Sequence, residues 1–188
     1  MGTYCRIAPG HPVHGSYHDT EYGFPQRDEA ALFERLCLEI MQAGLSWEIV
    51  LKRREGLRRA FAEFAVDPVA AMQDADRARL LADPAIIRNR LKVNAVIENA
   101  RRVQALRASH GGFAAWLDAH HPLEKPAWVK LFRQTFLFTG GEIVGEFLIS
   151  LGYLPGAHAA DCPVAARIAA LAPPWRQAAA FSTAPATG

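Results

Sequence analysis

The chain has 188 residues, 51% apolar, 21% charged and 10% aromatic, which is enough to bury one substantial core or two small lobes sharing one. Lys and Arg number 21 against 19 Asp and Glu, and a formal charge of +2 permits nucleic-acid binding only where the positives cluster. No apolar run approaches the ~20 residues of a membrane span and the N-terminus does not read as a signal peptide, so cytoplasmic residence is expected.

Residues 1–27 contain Pro9, Gly10, Pro12, Gly15, Gly23 and Pro25 and are predicted to be an irregular ordered segment, with Tyr4, Tyr17, Tyr22 and Phe24 in it. Asp28 is an N-cap residue type, and Leu32, Leu36, Ile40 and Ala43 follow at helical spacing until Gly44, which predicts a helix over 28–43. The helical period returns over 47–64, 68–72, 76–82, 92–108, 112–120, 130–138, 142–151 and 164–171. No alternating strand pattern interrupts it, so the fold is predicted to be all-α. Breaks at Asp67-Pro68, Asp83-Pro84, Gly111-Gly112, Pro122, Pro126, Gly140-Gly141 and Gly152 leave short turns between helices. Residues 176–188 are expected to form a flexible tail.

Three cysteines, Cys5, Cys37 and Cys162, make an odd count for a disulfide framework and are expected as reduced thiols or metal ligands. Cys5 and His18 lie near one end of the chain, and His158 and Cys162, four positions apart, lie near the other. Two thiolates and two imidazoles suit a closed tetrahedral zinc site that would staple the termini together. Taken separately, each pair also fits a buried thiol beside a surface histidine, and His11, His14, His110, His120 and His121 compete as ligands.

Glu39 falls on the apolar face of its helix, between Leu36 and Ala43, so its carboxylate is predicted to be buried. A buried carboxylate is either paired with an arginine or placed in a pocket for function. With Trp47 and the N-terminal tyrosines as walls, it would favour cations and amino donors. Positive charge concentrates at Lys52-Arg53-Arg54, Arg58-Arg59, Arg88 to Lys92 and Arg101-Arg102. Most such runs are solvated helix faces. The link over 83–91 differs, since it brings Arg88, Asn89, Arg90 and Lys92 to a helix N-terminus, where phosphate is attracted without sequence readout.

Tyr17-His18-Asp19-Thr20-Glu21-Tyr22-Gly23, Leu36-Cys37-Leu38-Glu39, Gln42-Ala43-Gly44-Leu45-Ser46-Trp47, Val50-Leu51-Lys52-Arg53-Arg54, and Ile86-Ile87-Arg88-Asn89-Arg90 with Asn99-Ala100-Arg101 resemble the bacterial 3-methyladenine DNA glycosylase I family. The resemblance is dense over about 4–107 and returns near 138–162. It implies an all-α helix-hairpin-helix fold, a single domain over 1–175 of two packed helical lobes with a pocket between them, and structural Zn2+ on Cys5, His18, His158 and Cys162. It further implies that Glu39 contacts the excised base and that Tyr17, Tyr22 and Trp47 line the pocket. Leu45 would fill the gap in the duplex, and Arg88, Asn89, Arg90 and Lys92 would lie on the DNA-gripping hairpin. The implied activity is hydrolysis of the N-glycosidic bond of an alkylated base, foremost 3-methyladenine, in double-stranded DNA, by a monomer without membrane partners and without strand cleavage.

Departures from the family pattern accompany these matches. Met41 stands where relatives have glutamine, Ile40 replaces a small residue, Ile7 and Tyr22 occupy tryptophan positions, His14 a position that can be tyrosine, and Leu91 a hairpin glycine of some relatives. They motivate two alternatives, a glycosylase for another modified base and a non-catalytic DNA-damage binding module. Glu142 and Glu146 stand where familiar members are neutral. Glu142 is read either as solvent-facing or as a group that orients water or balances oxocarbenium charge.

Overall fold

The computed structural model describes residues 3–177. Every regular element among them is helical, as the hydrophobic period predicts. Residues 178–188, most of the expected tail, lie outside the described residues.

The N-terminal segment departs from the predicted irregular form. It holds two short helices, α1 (Thr3–Ile7) and α2 (Gly15–Thr20). Pro9, Gly10 and Pro12 fall between them, and helices this short persist only when tertiary contacts hold them. α3 (Glu29–Gln42) follows, with the Asp28 carboxylate accepting from the Ala31 N–H and Leu32, Leu36 and Ile40 buried. Gly44, at a φ of 78°, turns the chain after it.

α4 (Trp47–Ala60) starts at the Ser46 N-cap and ends earlier than its period suggests. Ala62, Glu63 and Phe64 instead form a left-handed turn with φ of 51°, 54° and 56°. Such backbone costs roughly 1–2 kcal/mol per residue, and the stacked, buried rings of Phe61 and Phe64, 5.8 Å apart, offset it. Next come α5 (Val66–Ala70), α6 (Asp74–Ala82) and the long α7 (Arg90–His110), which begins at the Asn89 N-cap. α8 (Phe113–His120), α9 (Lys125–Thr135), α10 (Gly141–Ser150) and α11 (Pro163–Ala170) complete the described helices. α9 starts five residues before its predicted position because Pro126 occupies the first turn, where a missing N–H leaves no bond unmade.

One continuous apolar core runs from Leu32 to Tyr153. Between α8, α9 and α10 it is aromatic, with Phe113 stacked on Phe147 at 5.8 Å and Trp116 edge-on to Phe132 at 5.3 Å. Each such ring contributes about 2–3 kcal/mol by burial. A second, small cluster of Cys5, Cys162, Val164 and Ile168 joins the two ends of the chain.

A largely buried ion network fixes the N-terminal segment to this core. Arg54 on α4 bonds both Glu21 (2.6 and 2.7 Å) and Glu34 of α3 (2.9 and 3.2 Å), and Arg58 bonds Glu34 at 2.6 Å. Arg35 of α3 reaches Glu21 at 3.2 Å and the Ser150 carbonyl at 3.4 Å. The two arginines on Glu34 hold its carboxyl below the usual range although burial opposes this.

α4 approaches the link between α6 and α7 closely enough that a Cβ at Gly56 would lie 2.4 Å from the Ala85 carbonyl oxygen. Gly56→Ala therefore must push the 83–89 link outward. Overpacking of this kind costs about 1–3 kcal/mol, so the variant is expected to melt several degrees lower. Denaturant unfolding checks the effect.

Candidate active site

α3 and α10 pack together, and between the end of α3 and the start of α10 lies an open cleft of about 610 Å³. Glu39, Gln42, Ala43, Gly44 and Leu45 form one side, and Gly140, Gly141, Glu142, Ile143 and Glu146 the other. The apolar face of α3 carries Glu39 into the interior, where it keeps only 4% of its surface exposed. Among the described residues no group donates a hydrogen bond to its carboxylate. Burial, reinforced by the Glu146 charge, pushes its pKa up to about 8, and Arg35 opposes this only in part. The Arg35 guanidinium is already committed to Tyr17, Glu21 and two backbone carbonyls.

Beside Glu39 stands a cluster of rings. Tyr17 packs edge-on to Trp47 at 5.0 Å and lies 5.8 Å from Tyr22, which meets Tyr4 edge-on at 5.4 Å. The Tyr17 hydroxyl accepts from Arg35 at 3.2 Å, and the Arg35 guanidinium lies 4.9 Å over the Tyr17 ring. The Tyr22 hydroxyl donates to Glu146 at 3.1 Å. Burial raises Tyr17, Tyr22 and Tyr4 above the ordinary phenol value, Tyr4 to about 12, so all three stay protonated. The Trp47 Nε1–H is buried beside the Tyr4 hydroxyl.

Behind the rings, Cys5, His18, His158 and Cys162 bring their donor atoms within 4.8 Å of one another. Cys162 Sγ lies 3.5 Å from His158 Nδ1 and 3.8 Å from His18 Nε2, and Cys5 Sγ lies 3.7 Å from His158 Nδ1. Tetrahedral bonds of 2.0–2.3 Å place ligand atoms about 3.3–3.8 Å apart, so the donor set fits one ion. The remaining ring nitrogens are held as metal-binding histidines require, His18 Nδ1 by Asp19 at 2.7 Å and His158 Nε2 by the Tyr22 carbonyl at 2.8 Å. That last bond ties the cluster to the cleft. Cys37 is buried in the core, apart from this group.

The sequence model of the methyladenine glycosylase family matches residues 7–135. The chain belongs to the methyladenine glycosylase family. DNA-3-methyladenine glycosylase 1 of Escherichia coli (strain K12) is 52% identical over 97 residues, which span 52% of each chain. DNA-3-methyladenine glycosylase of Haemophilus influenzae is 32% identical over 182 residues, covering 87% of this chain and 98% of that one. Among solved structures, a tyrosine-to-phenylalanine variant of 3-methyladenine DNA glycosylase I in complex with 3-methyladenine superposes with a TM-score of 0.77 at 30% identity, covering 87% of this chain and 97% of that one.

The residues singled out from the sequence divide by their surroundings. Glu39 and Leu45 line the cleft, with Tyr17, Tyr22 and Trp47 packed as neighbouring rings. Leu45 is 38% exposed on the turn that Gly44 creates. Arg88, Asn89 and Arg90 are exposed between α6 and α7, and the Asn89 side chain also accepts from the Lys92 N–H at 3.1 Å. Lys92 corrects the sequence reading. It is buried, and its ammonium donates to the Met41 carbonyl at 2.9 Å and the Ala43 carbonyl at 2.5 Å. It caps the C-terminus of α3 and steadies the turn bearing Leu45, so it is not available to a phosphate.

Other expectations also change. Ile40 and Met41 lie in the core and Ile7 is exposed, so none of them shapes the cleft, and His14 packs against Tyr4 and His11. Glu142 sits at the rim with its side chain 91% exposed, 3.5 Å from Lys125, while Glu146, one turn further, takes the inner position. Most of the mid-chain positive charge is spent internally. Arg54 and Arg58 are held by Glu34, Arg101 by the Ala70 and Met72 carbonyls, and Arg102 by the Thr135 carbonyl. Arg35 was not legible as a site residue, since it sits in no motif that sets it apart, and Tyr4 was read only as one of the N-terminal tyrosines.

Proposed function

We propose that this chain is a monofunctional DNA N-glycosylase that releases alkylated bases, foremost 3-methyladenine, from double-stranded DNA in base excision repair. The single observation that carries this reading is Glu39, a buried carboxylate without a hydrogen-bond partner, facing a cleft beside Tyr17, Tyr22 and Trp47. A structural carboxylate would be paired. One that waits unpaired among aromatic rings suits a flipped base bearing positive charge or an amino group.

Methylation at N3 makes adenine cationic and weakens its glycosidic bond, so the protein has little chemistry left to supply. It must flip the nucleotide, bind the base through charge and ring faces, and admit water to the sugar. Leu45, exposed at the mouth of the cleft, fills the space the nucleotide leaves and offsets part of the unstacking cost. No lysine is among the residues lining the cleft, so release proceeds to water and leaves the strand intact. An oligonucleotide carrying one 3-methyladenine tests this. The base is expected in solution, with the strand unbroken until alkali is added. Breakage without alkali, or tight binding without base release, would contradict it.

α6, the 83–89 link and α7 are read as the hairpin that holds the DNA backbone between two helical lobes of one domain. Arg88 and Arg90 face solvent at the N-terminus of α7, where the helix dipole also favours phosphate. Replacing both by alanine is expected to weaken binding equally on all sequences and to reduce the slope of log K against log salt by about 2. Fluorescence anisotropy across salt concentrations measures that slope.

Cys5, His18, His158 and Cys162 are read as ligands of one structural zinc ion that joins α1 and α2 to the segment entering α11. The protein is read as a cytoplasmic monomer. No helix among the described residues is long and apolar enough to cross a membrane.

A further inference from the structure

The cleft is electronegative in a chain of formal charge +2. Three carboxylates line it, Glu39, Glu142 and Glu146, and no cationic side chain is among its lining residues. Lys125 neutralises Glu142 at the rim. The two inner acids come from facing helices, Glu39 from α3 and Glu146 from α10, and they differ in what holds them. Glu39 is more than nine-tenths buried with no hydrogen-bond partner among the described residues, while one oxygen of Glu146 accepts from the Tyr22 hydroxyl at 3.1 Å. That bond orients Glu146 within the cleft lining and occupies one of its two oxygens.

We propose that Glu146 is a second base-recognising carboxylate, which with Glu39 makes the cleft select bases that bring positive charge or an N–H donor. This rests on the reading of the cleft as a base pocket. The Glu146 charge opposes ionisation of Glu39 while the cleft is empty. A cationic base relieves that repulsion, whereas a neutral base of the same shape does not. Glu39 is faced by Arg35 on its own helix, by Tyr4, Tyr17 and Tyr22 from the N-terminal segment and by Glu146 from α10. Of these, Glu146 is the like charge whose removal lets Glu39 ionise at lower pH.

Glu146→Gln tests the assignment, because the amide oxygen can still accept from Tyr22. Excision of 3-methyladenine, cationic in DNA, is compared with binding of DNA containing 3-deaza-3-methyladenine, a neutral isostere with a stable glycosidic bond. The variant is expected to lose about tenfold in kcat/KM on the cationic base and to change less than twofold in affinity for the isostere. The rise of its activity with pH is expected to move to lower pH. Glu146→Ser, which removes the acceptor as well, is expected to show the same preference for the direction of loss if Gln folds poorly. Activity within twofold of wild type, or equal losses on both DNAs with an unmoved pH profile, would overturn the assignment. Wild-type protein releasing no alkylated base would overturn the proposed activity itself, a distinguishable failure.

Discussion

Glu39→Gln is expected to lose excision and gain stability in the same molecule. The carboxylate is the one charged group in the cleft with no partner of its own, and a hydrogen bond to an ionised group is worth about 1.5–3 kcal/mol. Its loss corresponds to a fall of about 10- to 100-fold in kcat/KM. The stability gain follows from proton linkage. In the unfolded chain the carboxyl ionises near 4.5, and in the fold near 8. Between these values the unfolded chain has released a proton that the folded chain keeps, so the native state loses stability as pH rises through that window. Above pH 8 the full penalty is about 3–5 kcal/mol, and glutamine does not incur it. The variant should therefore match wild type near pH 4 and exceed it at pH 8.5, as urea unfolding at the two values will show. An equally stable variant at both would mean that Glu39 is already satisfied. In the wild type, excision of a cationic base should rise with pH as the carboxylate forms and level off near pH 8.

Disrupting the proposed zinc site is expected to have the second large effect. Cys162 is both the N-cap residue of α11 and a donor lying 3.5–3.8 Å from the two histidine nitrogens. If the proposed zinc is bound, wild type should purify with one equivalent and Cys162→Ser with none. Structural zinc contributes several kcal/mol or more to small folds, and for a chain of this size about 1 kcal/mol moves Tm by 2–4 °C. A drop of at least 10 °C is expected, reproduced in wild type by a chelator that leaves the variant unchanged. The damage should also reach the cleft. His158 holds the Tyr22 carbonyl at 2.8 Å, and Tyr22 holds Glu146, so excision at a temperature where the variant remains folded should still fall. Wild type that contains no zinc and ignores chelator would refute the staple.

How much of this was legible in the sequence depended on whether a feature is local. Period and caps are local, which is why the Asp28 cap, the apolar stripe of α3 and the burial of Glu39 could be read directly. The Cys/His pairs alone left other histidines open as ligands, and the family resemblance singled out Cys5, His18, His158 and Cys162, whose donor atoms the fold brings together. What failed depended on how elements meet. The first turn of α7 tucks beneath the end of α3, and that contact alone turns Lys92 from a phosphate ligand into a helix cap. Choosing between Glu142 and Glu146 required the rotation of α10 about its axis, which acids four residues apart do not reveal. The left-handed turn at Ala62 to Phe64 contains no glycine to announce it and is sustained by the buried, stacked rings of Phe64 and the preceding Phe61.

The central claim is that Glu39, unpaired in this cleft, recognises an alkylated base that the protein then releases. Chromatography of free bases from randomly methylated DNA, run in parallel with wild type and Glu39→Gln, tests it most directly. Wild type is expected to release 3-methyladenine, with the variant slower by at least tenfold at pH 8 while remaining folded. Equal release by both proteins, or none by wild type that contains zinc and binds DNA, would contradict it.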